Sequence, residues 1–310
     1  NQKELKYTVE YYKDGVLQEN DTQVETKTVQ VLEPDTLNVD KTKINTTDKY
    51  YGYKLEKTIP TTIPDTIENN GIIKVYYVID QDNQKELKYT VEYYKDGVLQ
   101  TKDTQTVTEK VQVLEPDTLT VKKEDINTVN KYDGYKFVGT NPTTIPNTIN
   151  NNGVIKVYYE KDTFGYTVEY YYDGVIDNNK TESKTALFEE TISTYTDKKI
   201  TGYKLEKTEN LPLVITSDST KNVIKVYYVK DNYGYKVEYY YDGVLDDSKT
   251  YTNSAKFGSK VETYPDKVIK GYSFEKTENF PLTITENTES NLIKVYYVSN
   301  SYDYTIKHVE

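Results

Sequence analysis

The chain has 310 residues and carries 39 lysines, no arginine and 50 acidic residues, for a net charge of −11. Such a surface repels nucleic acid and anionic lipid, so we expect no nucleic-acid partner. Cysteine, methionine and tryptophan are absent, which excludes a disulfide framework, a thiol nucleophile and a thiolate metal site.

One twelve-residue segment recurs along the chain. YTVEYYKDGVLQ occupies residues 7–18 and again 89–100, and it returns as YTVEYYYDGVID and YKVEYYYDGVLD. Aligned on their aspartate–glycine turns, the copies lie 82, 77 and 69 residues apart. This self-similarity predicts tandem modules. They are repeat 1 (residues 1–80), repeat 2 (81–162), repeat 3 (163–231), repeat 4 (232–300) and the truncated start of a fifth (301–310).

The first element of each repeat is predicted to be a strand with one buried face. Tyr7, Val9 and Tyr11 alternate with polar or outward residues, which is the two-residue period of a strand. Asp14 and Gly15 then give a hairpin turn, because glycine accepts the positive φ that such turns need.

A glycine–tyrosine marker follows 37 residues after the turn in repeats 1 and 2 but 28 residues after it in repeats 3 and 4. Two subtypes are therefore expected, and the long one carries nine extra residues. A turn or two of helix is expected just before the marker, around KEDINTVNKY. The strand after the marker, YKLEKT in repeat 1, precedes a proline in every repeat, which places that strand at a sheet edge or the proline at a strand start.

The closing element is a second alternating strand. In repeat 1 it places Ile73, Val75 and Tyr77 on the core face and Lys74 and Tyr76 on the opposite face. At 69 to 82 residues each repeat buries a modest core, so tyrosine rings must supply much of its apolar area.

The order VEYYYDGV, GYKLEKT and VIKVYYV resembles the mucin-binding (MucBP) type repeats of Gram-positive surface proteins. The resemblance covers all four repeats. It implies a β-rich α+β fold, a ubiquitin-like β-grasp in which the first and last strands lie side by side in the centre of a mixed sheet. It also implies a secreted, cell-wall-anchored adhesin.

Catalysis is not expected, because the inventory of reactive residues is too small. His308 is the single histidine, so a Ser-His-Asp or Cys-His arrangement cannot be assembled. Glu10 and its equivalents are one position copied four times, whereas a glycosidase needs two different carboxylates at one cleft. We predict no catalytic residue, no cofactor and no metal site.

The copied glutamates and the closing-strand lysines have two interpretations. The first is a cross-strand ion pair between positions such as Glu10 and Lys74. The second is an intramolecular isopeptide bond from the lysine to an asparagine. Asn70 and its equivalents Asn152, Asn222 and Asn291 lie too near the lysine along the same chain, and we expect them to shape the turn into the closing strand.

Tyrosines on the outward parity of neighbouring strands also have two interpretations. They form stabilising cross-strand contacts, or they form a platform on which a sugar ring stacks. The candidate glycan platform consists of Tyr12, Tyr76, Tyr94, Tyr158, Tyr171, Tyr227, Tyr240 and Tyr296.

Short links join the repeats, and an apolar side chain stands near the start of each. We predict that Phe164 and Tyr233 wedge against the end of the preceding repeat and hold the modules in an elongated rod. A monomer is expected. Because the N-terminal residues NQKELK do not form a signal-peptide core, we expect an internal part of a longer protein.

The sequence therefore predicts a non-enzymatic repeat region of a bacterial surface adhesin, whose partner is a host or environmental glycan or glycoprotein. Two alternatives stay open. The repeats could be a passive spacer that projects a distal binding domain, or modules that crosslink themselves. No apolar run reaches membrane-spanning length, so membrane insertion is not expected.

Overall fold

The computed structural model describes residues 1–307, and these residues fold almost entirely into β-strands. His308 lies outside the described residues. The α+β expectation is corrected, since the described part of the chain has only three-residue 3₁₀ turns and no α-helix. The segment KEDINTVNKY forms one such turn, because its asparagine, threonine and β-branched residues are poor helix formers. The turns are Glu19–Asp21, Lys41–Lys43, Thr101–Asp103, Lys123–Asp125 and Asp247–Lys249.

Seven strands follow one another in each predicted repeat. Repeat 1 contains β1 (Gln2–Lys13), β2 (Val16–Leu17), β3 (Gln23–Gln30), β4 (Thr36–Asn38), β5 (Tyr53–Ile59), β6 (Thr66–Glu68) and β7 (Gly71–Ile79). Repeat 2 contains β8 (Gln84–Lys95), β9 (Val98–Leu99), β10 (Gln105–Gln112), β11 (Thr118–Thr120), β12 (Tyr135–Asn141), β13 (Thr148–Asn150) and β14 (Gly153–Lys161).

Repeats 3 and 4 have the same order with shorter strands. Repeat 3 contains β15 (Thr163–Tyr172), β16 (Val175–Ile176), β17 (Glu182–Leu187), β18 (Thr191–Ile192), β19 (Tyr203–Glu209), β20 (Leu213–Val214) and β21 (Val223–Lys230). Repeat 4 contains β22 (Asn232–Tyr241), β23 (Val244–Leu245), β24 (Tyr251–Lys256), β25 (Lys260–Val261), β26 (Tyr272–Glu278), β27 (Leu282–Thr283) and β28 (Leu292–Ser299).

Every repeat builds a five-stranded mixed sheet around a parallel pair. In repeat 1 the order is β2-β1-β7-β5, and β3 also pairs with β1. The first strand β1 and the closing strand β7 run parallel, in register from Tyr7 opposite Gly71 to Lys13 opposite Tyr77. The expectation that first and last strands are central neighbours is therefore confirmed. The strand after the glycine–tyrosine marker, here called the marker strand, lies at the edge, as the following proline predicts.

A small two-stranded sheet closes one side of each core. In repeat 1 it pairs β4, which lies in the region of the nine extra residues, with β6, which follows the marker strand, and the shorter repeats 3 and 4 form the same small sheet. That region gives Leu37, Val39 and Ile44 to the core. The region that contains the extension therefore contributes to the core of repeat 1.

The core faces are those that the alternation predicts. Tyr7, Val9 and Tyr11 from the first strand are at most 2% exposed. The closing-strand residues Ile73, Val75 and Tyr77 are fully buried against them.

The chain divides into two compact units, each described here by itself. The first consists of Asn1–Asn130 and Phe137–Glu160, and the second of Lys131–Lys136 and the chain from Lys161 onward. Residues 301–307 form no strand, and Tyr302 and Tyr304 are 74% and 84% exposed.

Candidate functional site

Each five-stranded sheet carries two tyrosines side by side on its outward face, one from the first strand and one from the closing strand. Their ring centroids are 4.6, 4.7 and 4.9 Å apart in repeats 1, 3 and 4, with ring planes 17 to 22° from parallel. All eight side chains are half-buried. The four tyrosine pairs, as they are called below, are Tyr12–Tyr76, Tyr94–Tyr158, Tyr171–Tyr227 and Tyr240–Tyr296.

A glutamate accepts a hydrogen bond from the first tyrosine of every pair. The Tyr12 hydroxyl donates to Glu10 Oε2 at 2.7 Å, and the equivalent distance is the same in the other three repeats. In repeat 3 this hydrogen bond, together with burial, raises the pKa of Tyr171 to about 12. The copied glutamate therefore has a structural role, as a hydrogen-bond acceptor within the sheet of its own repeat.

The closing-strand lysine lies opposite that glutamate, as the sequence predicts. Glu10 and Lys74 are directly paired in the parallel register, and Lys74 Nζ lies 3.8 Å from Glu10 Oε2. In all four repeats the lysine ammonium lies 5.6 to 6.0 Å from the ring centroid of the first tyrosine. An exposed ion pair of this kind contributes under about 1 kcal/mol.

A second lysine, which the sequence reasoning missed, covers the other tyrosine in repeats 1, 3 and 4. Lys57, Lys207 and Lys276 on the marker strands lie 5.3, 4.7 and 4.8 Å from the ring centroids of their closing-strand tyrosines. Alternation from Tyr53 and Leu55 would turn Lys57 toward the core. A β-bulge between Leu55 and Lys57 changes the parity and turns the lysine outward.

Each of these marker-strand lysines also has a carboxylate partner. Lys207 Nζ lies 2.6 Å from Glu209 Oε1, and Glu209 Oε2 accepts a hydrogen bond from the Tyr227 hydroxyl at 3.1 Å. In repeat 1 the partner is Glu56, 3.7 Å from Lys57. The tyrosine pair is thus one part of a column of alternating cations and rings.

Repeat 2 departs from this arrangement. Gly139 stands where the other repeats have the marker-strand lysine, and Glu160 stands where they have valine. A cleft of about 440 Å³ opens there, lined by Gly139, Thr140, Tyr158 and Glu160 among others. The Tyr94 and Tyr158 rings are 5.3 Å apart and tilted by 35°, a looser stack than in the other repeats.

The surroundings of the tyrosine rings limit the space available on the glycan platform predicted from the sequence. The structure brings its eight tyrosines together as four pairs. In repeats 1, 3 and 4 each ring face that does not meet its partner has an ammonium group near it, which narrows the space for a sugar ring. Glycan binding by these rings stays a prediction.

The asparagines before the closing strand support the turn interpretation. Asn222 is fully buried, and its amide bridges Thr216 and the Gly165 carbonyl through four hydrogen bonds of 2.9 to 3.2 Å. Asn291 repeats this arrangement in repeat 4. Asn70 adopts a left-handed φ of 64° immediately before β7.

The two predicted wedge residues pack on a second aromatic residue. The Tyr233 ring lies 6.2 Å from Phe257, and the Phe164 ring lies 6.1 Å from Phe188. Phe257 in turn sits directly against Gly202, where an added Cβ would come within 2.1 Å of the phenylalanine ring. Phe257 is therefore the residue that reaches the marker loop of repeat 3, while Tyr233 supports it. Whether Phe164 and Tyr233 stiffen the chain stays a prediction.

Two further observations concern residues 1–307. The described residues contain no group of three His, Asp or Glu side chains that could hold a metal ion. Within the same range no helix is both long enough and apolar enough to cross a membrane.

Comparisons with known proteins give structural neighbours only. No family model matches the sequence, and no curated protein matches it. The chain resembles the type 2 repeat of the mucus-binding protein MUB from Lactobacillus reuteri at 15% identity, with 51% of this chain and all of that chain covered and a TM-score of 0.17. It resembles Mub-RV at 14% identity, with 47% and 99% covered and a TM-score of 0.16.

A third neighbour is the pair of B repeat units, B1B2, of the collagen-binding protein CNA of Staphylococcus aureus. The identity is 9%, the coverage is 97% of this chain and 100% of that chain, and the TM-score is 0.15. Two of the three neighbours are thus repeat units of proteins named for binding mucus or collagen.

Proposed function

We propose that this chain is a non-enzymatic repeat region of a bacterial cell-surface adhesin that extends a binding region away from the cell wall. The observation that carries the proposal is the position of the terminal strands. In each repeat the chain enters through the first strand and leaves through the closing strand, and these two strands pair in parallel at the centre of the sheet.

This arrangement suits a tether under tension. A pull on the two ends of repeat 1 acts on β1 and β7 in opposite directions along the strands, from the Tyr7–Gly71 pair to the Lys13–Tyr77 pair. All the hydrogen bonds between the two strands are then loaded together in shear, whereas an antiparallel hairpin pulled at its open end would break them one at a time. The stacked tyrosine pair lies across the same two strands and adds a side-chain contact to that ladder.

The fold we propose for each repeat is a ubiquitin-like β-grasp. The central parallel pair of a mixed sheet supports it. The described residues depart from that fold in having 3₁₀ turns and a small two-stranded sheet where a β-grasp has a helix. The same proposal includes secretion and attachment to a Gram-positive cell wall. It also includes the division of the chain into four repeats, at residues 1–80, 81–162, 163–231 and 232–300.

Force spectroscopy on the full 310-residue chain tests the tether. We expect four separate unfolding events, one for each repeat, at forces typical of strands that separate in shear. The control moves the pulling points to residues 16 and 80, which lie at the same end of the β1–β7 pair, so that these two strands are unzipped from the Lys13–Tyr77 end. The event of repeat 1 should then fall to a clearly lower force. Equal forces for the two pulling directions would overturn the proposal.

A second candidate function is binding of mucin or another host or environmental glycan. The observation that favours it is the presence of eight half-buried tyrosines on outward sheet faces, with hydroxyl groups near the surface. A glycan array probed with the full chain is the test. A variant with leucine at the four closing-strand positions should lose the signal, whereas Tyr51→Leu, at a tyrosine 74% exposed outside the pairs, should keep it. The four positions are Tyr76, Tyr158, Tyr227 and Tyr296.

Retention of the array signal in the four-site variant would exclude the platform. Silence of the folded wild-type chain toward every glycan would leave the tether as the function, with binding supplied by another part of the protein.

A further inference from the structure

The cleft of repeat 2 lacks the marker-strand lysine that the equivalent region of the other three repeats contains. In repeats 1, 3 and 4 the position above the closing-strand tyrosine holds a lysine ammonium group, 4.7 to 5.3 Å from the ring centroid. In repeat 2 that lysine is replaced by Gly139, which has no side chain to place a cation over Tyr158. Three repeats therefore fill this position with a lysine ammonium group, whereas repeat 2 has no side chain there.

The replacement is not a simple loss of charge. Val138 stands where repeats 1, 3 and 4 have glutamate, and Asn141 stands where repeats 3 and 4 have the lysine's partners Glu209 and Glu278. Glu160 stands where the other three repeats have valine, so the marker strand loses its carboxylates and the closing strand gains one. Glu160 lies two residues after Tyr158 on β14, and both line the cleft. A ring face and a carboxylate are the two groups that hold the lysine in the other repeats.

The volume of the cleft and the negative charge of its carboxylate both suit an incoming cationic side chain. The cleft of about 440 Å³ is within the range of about 300 to 1,000 Å³ that ligand sites occupy, so it accepts more than a water molecule. Thr140 and Thr143 also line the cleft, and the whole chain has a net charge of −11. An anionic sugar or a phosphate would meet the Glu160 carboxylate, whereas an ammonium group meets both an acceptor and a π face.

We propose that repeat 2 carries a binding site for a lysine side chain of a partner protein, formed by the Tyr158 ring and the Glu160 carboxylate. The incoming ammonium group takes the place that Lys57, Lys207 and Lys276 occupy in the other repeats. This inference goes beyond the tether and does not depend on it, because it concerns a surface of one repeat only.

The test is a titration of the isotope-labelled full chain, followed by NMR, with the peptide acetyl-Gly-Gly-Lys-Gly-Gly-amide. The matched probe has norleucine in place of lysine, so it keeps the four side-chain carbons and lacks the ammonium group. We expect saturable shifts at the backbone amides of Gly139, Thr140 and Glu160 with the lysine peptide and none with the norleucine peptide. Tyr158→Leu should weaken binding about three- to tenfold, and Glu160→Gln about two- to fivefold.

A gain-of-site variant separates a built site from general attraction to an acidic protein. Lys57→Gly combined with Val78→Glu copies into repeat 1 the loss of the marker-strand lysine and the gain of the closing-strand carboxylate. We expect this variant to acquire peptide-induced shifts at the amides of Glu56 and Thr58, while the wild-type chain shows none there.

Four outcomes would overturn the inference. They are equal shifts from the norleucine peptide, shifts spread over the acidic surface without preference for the cleft, no saturable shift in the wild-type chain, and binding of a neutral methyl glycoside to the same amides in place of the peptide. The last result would assign the cleft to a sugar and support the glycan function. Each of them leaves the pulling experiment, and with it the proposed tether, unaffected.

Discussion

Replacing Gly202 by alanine tests how much the packing of Phe257 on the marker loop contributes to stability. Gly202 has a φ of +81°, and an added Cβ would lie 2.1 Å from Cδ1 of Phe257, so the ring has to move. Gly271 is the equivalent glycine of repeat 4. Its φ is +89°, but no heavy atom lies within 4 Å of an added Cβ. The two alanine variants therefore share the backbone strain and differ in the steric contact.

The magnitudes follow from these two contributions. A non-glycine residue in the left-handed region costs about 1 to 2 kcal/mol, and this is the full cost expected for Gly271→Ala. Phe257 is half-buried, so its displacement forfeits roughly half of the 1.5 to 3 kcal/mol that complete burial of the ring contributes. Gly202→Ala should therefore cost about 1 kcal/mol more than Gly271→Ala.

Hydrogen exchange of the native full chain is the assay, because each loop has its own reporter. The Asp231 amide donates to the Gly202 carbonyl at 2.8 Å, and the Asn300 amide donates to the Gly271 carbonyl at 2.7 Å. Phe257→Ala closes the cycle, since Gly202→Ala in that background should cost only the backbone strain. Equal losses of protection for the two glycine variants would refute the reasoning.

Three further predictions concern repeat 3. A double-mutant cycle of Tyr171→Leu and Tyr227→Leu should give a coupling free energy of about 0.5 to 1.5 kcal/mol for the stacked rings, measured by exchange of the β21 amides, and a coupling near zero would show that the rings do not stabilise the sheet. Asn222→Ala should destabilise repeat 3 by about 2 to 3 kcal/mol, because it leaves buried backbone groups without partners, whereas Asn178→Ala at an exposed loop should change stability little in the same unfolding assay. The pKa of Tyr171 is raised to about 12, so its hydrogen bond to Glu169 contributes stability that is fully present below about pH 10 and is lost as the pH rises toward 12. The alkaline unfolding profile of Tyr171→Phe should lack this component, and a profile identical to that of the wild-type chain would contradict the prediction.

Much of the fold follows from local patterns in the sequence. The alternation of Tyr7, Val9 and Tyr11 identifies the buried face of the first strand, and the Asp14–Gly15 turn identifies its hairpin partner. The central parallel pairing was implied by the family resemblance, since alternation alone does not say which strands are neighbours. The platform tyrosines meet in pairs because both lie on the outward face, at opposite positions of two neighbouring strands.

The features that sequence reasoning missed depend on non-local geometry. Lys57 reaches the Tyr76 ring only because a bulge changes the parity of its strand, and periodicity does not reveal a bulge. Phe257 meets Gly202 across a separation of 55 positions in the sequence, and nothing local distinguishes it from other loop aromatics. The vacancy in repeat 2 had a visible signal, because aligning the repeats shows lysine replaced by glycine and valine by glutamate.

The buried tyrosines explain how a module without α-helices satisfies its loops. Where a helix would pair its own backbone groups, the segment after β4 is irregular and leaves amides and carbonyls that need partners. The Tyr11 hydroxyl accepts from the Asn45 amide at 3.0 Å, and the Tyr77 hydroxyl donates to the Asn45 carbonyl at 2.8 Å.

Repeat 3 uses the same device with a different loop. The Tyr170 hydroxyl donates to the Thr196 carbonyl at 2.6 Å, and the Tyr228 hydroxyl accepts from the Lys198 amide at 3.2 Å. Phenylalanine would fill the same core volume but would leave these loop groups unpaired, at a cost of about 1 to 3 kcal/mol for each. A ring that packs inside while its hydroxyl bonds to the loop is therefore the side chain that these core positions need, which explains why they hold tyrosine rather than phenylalanine.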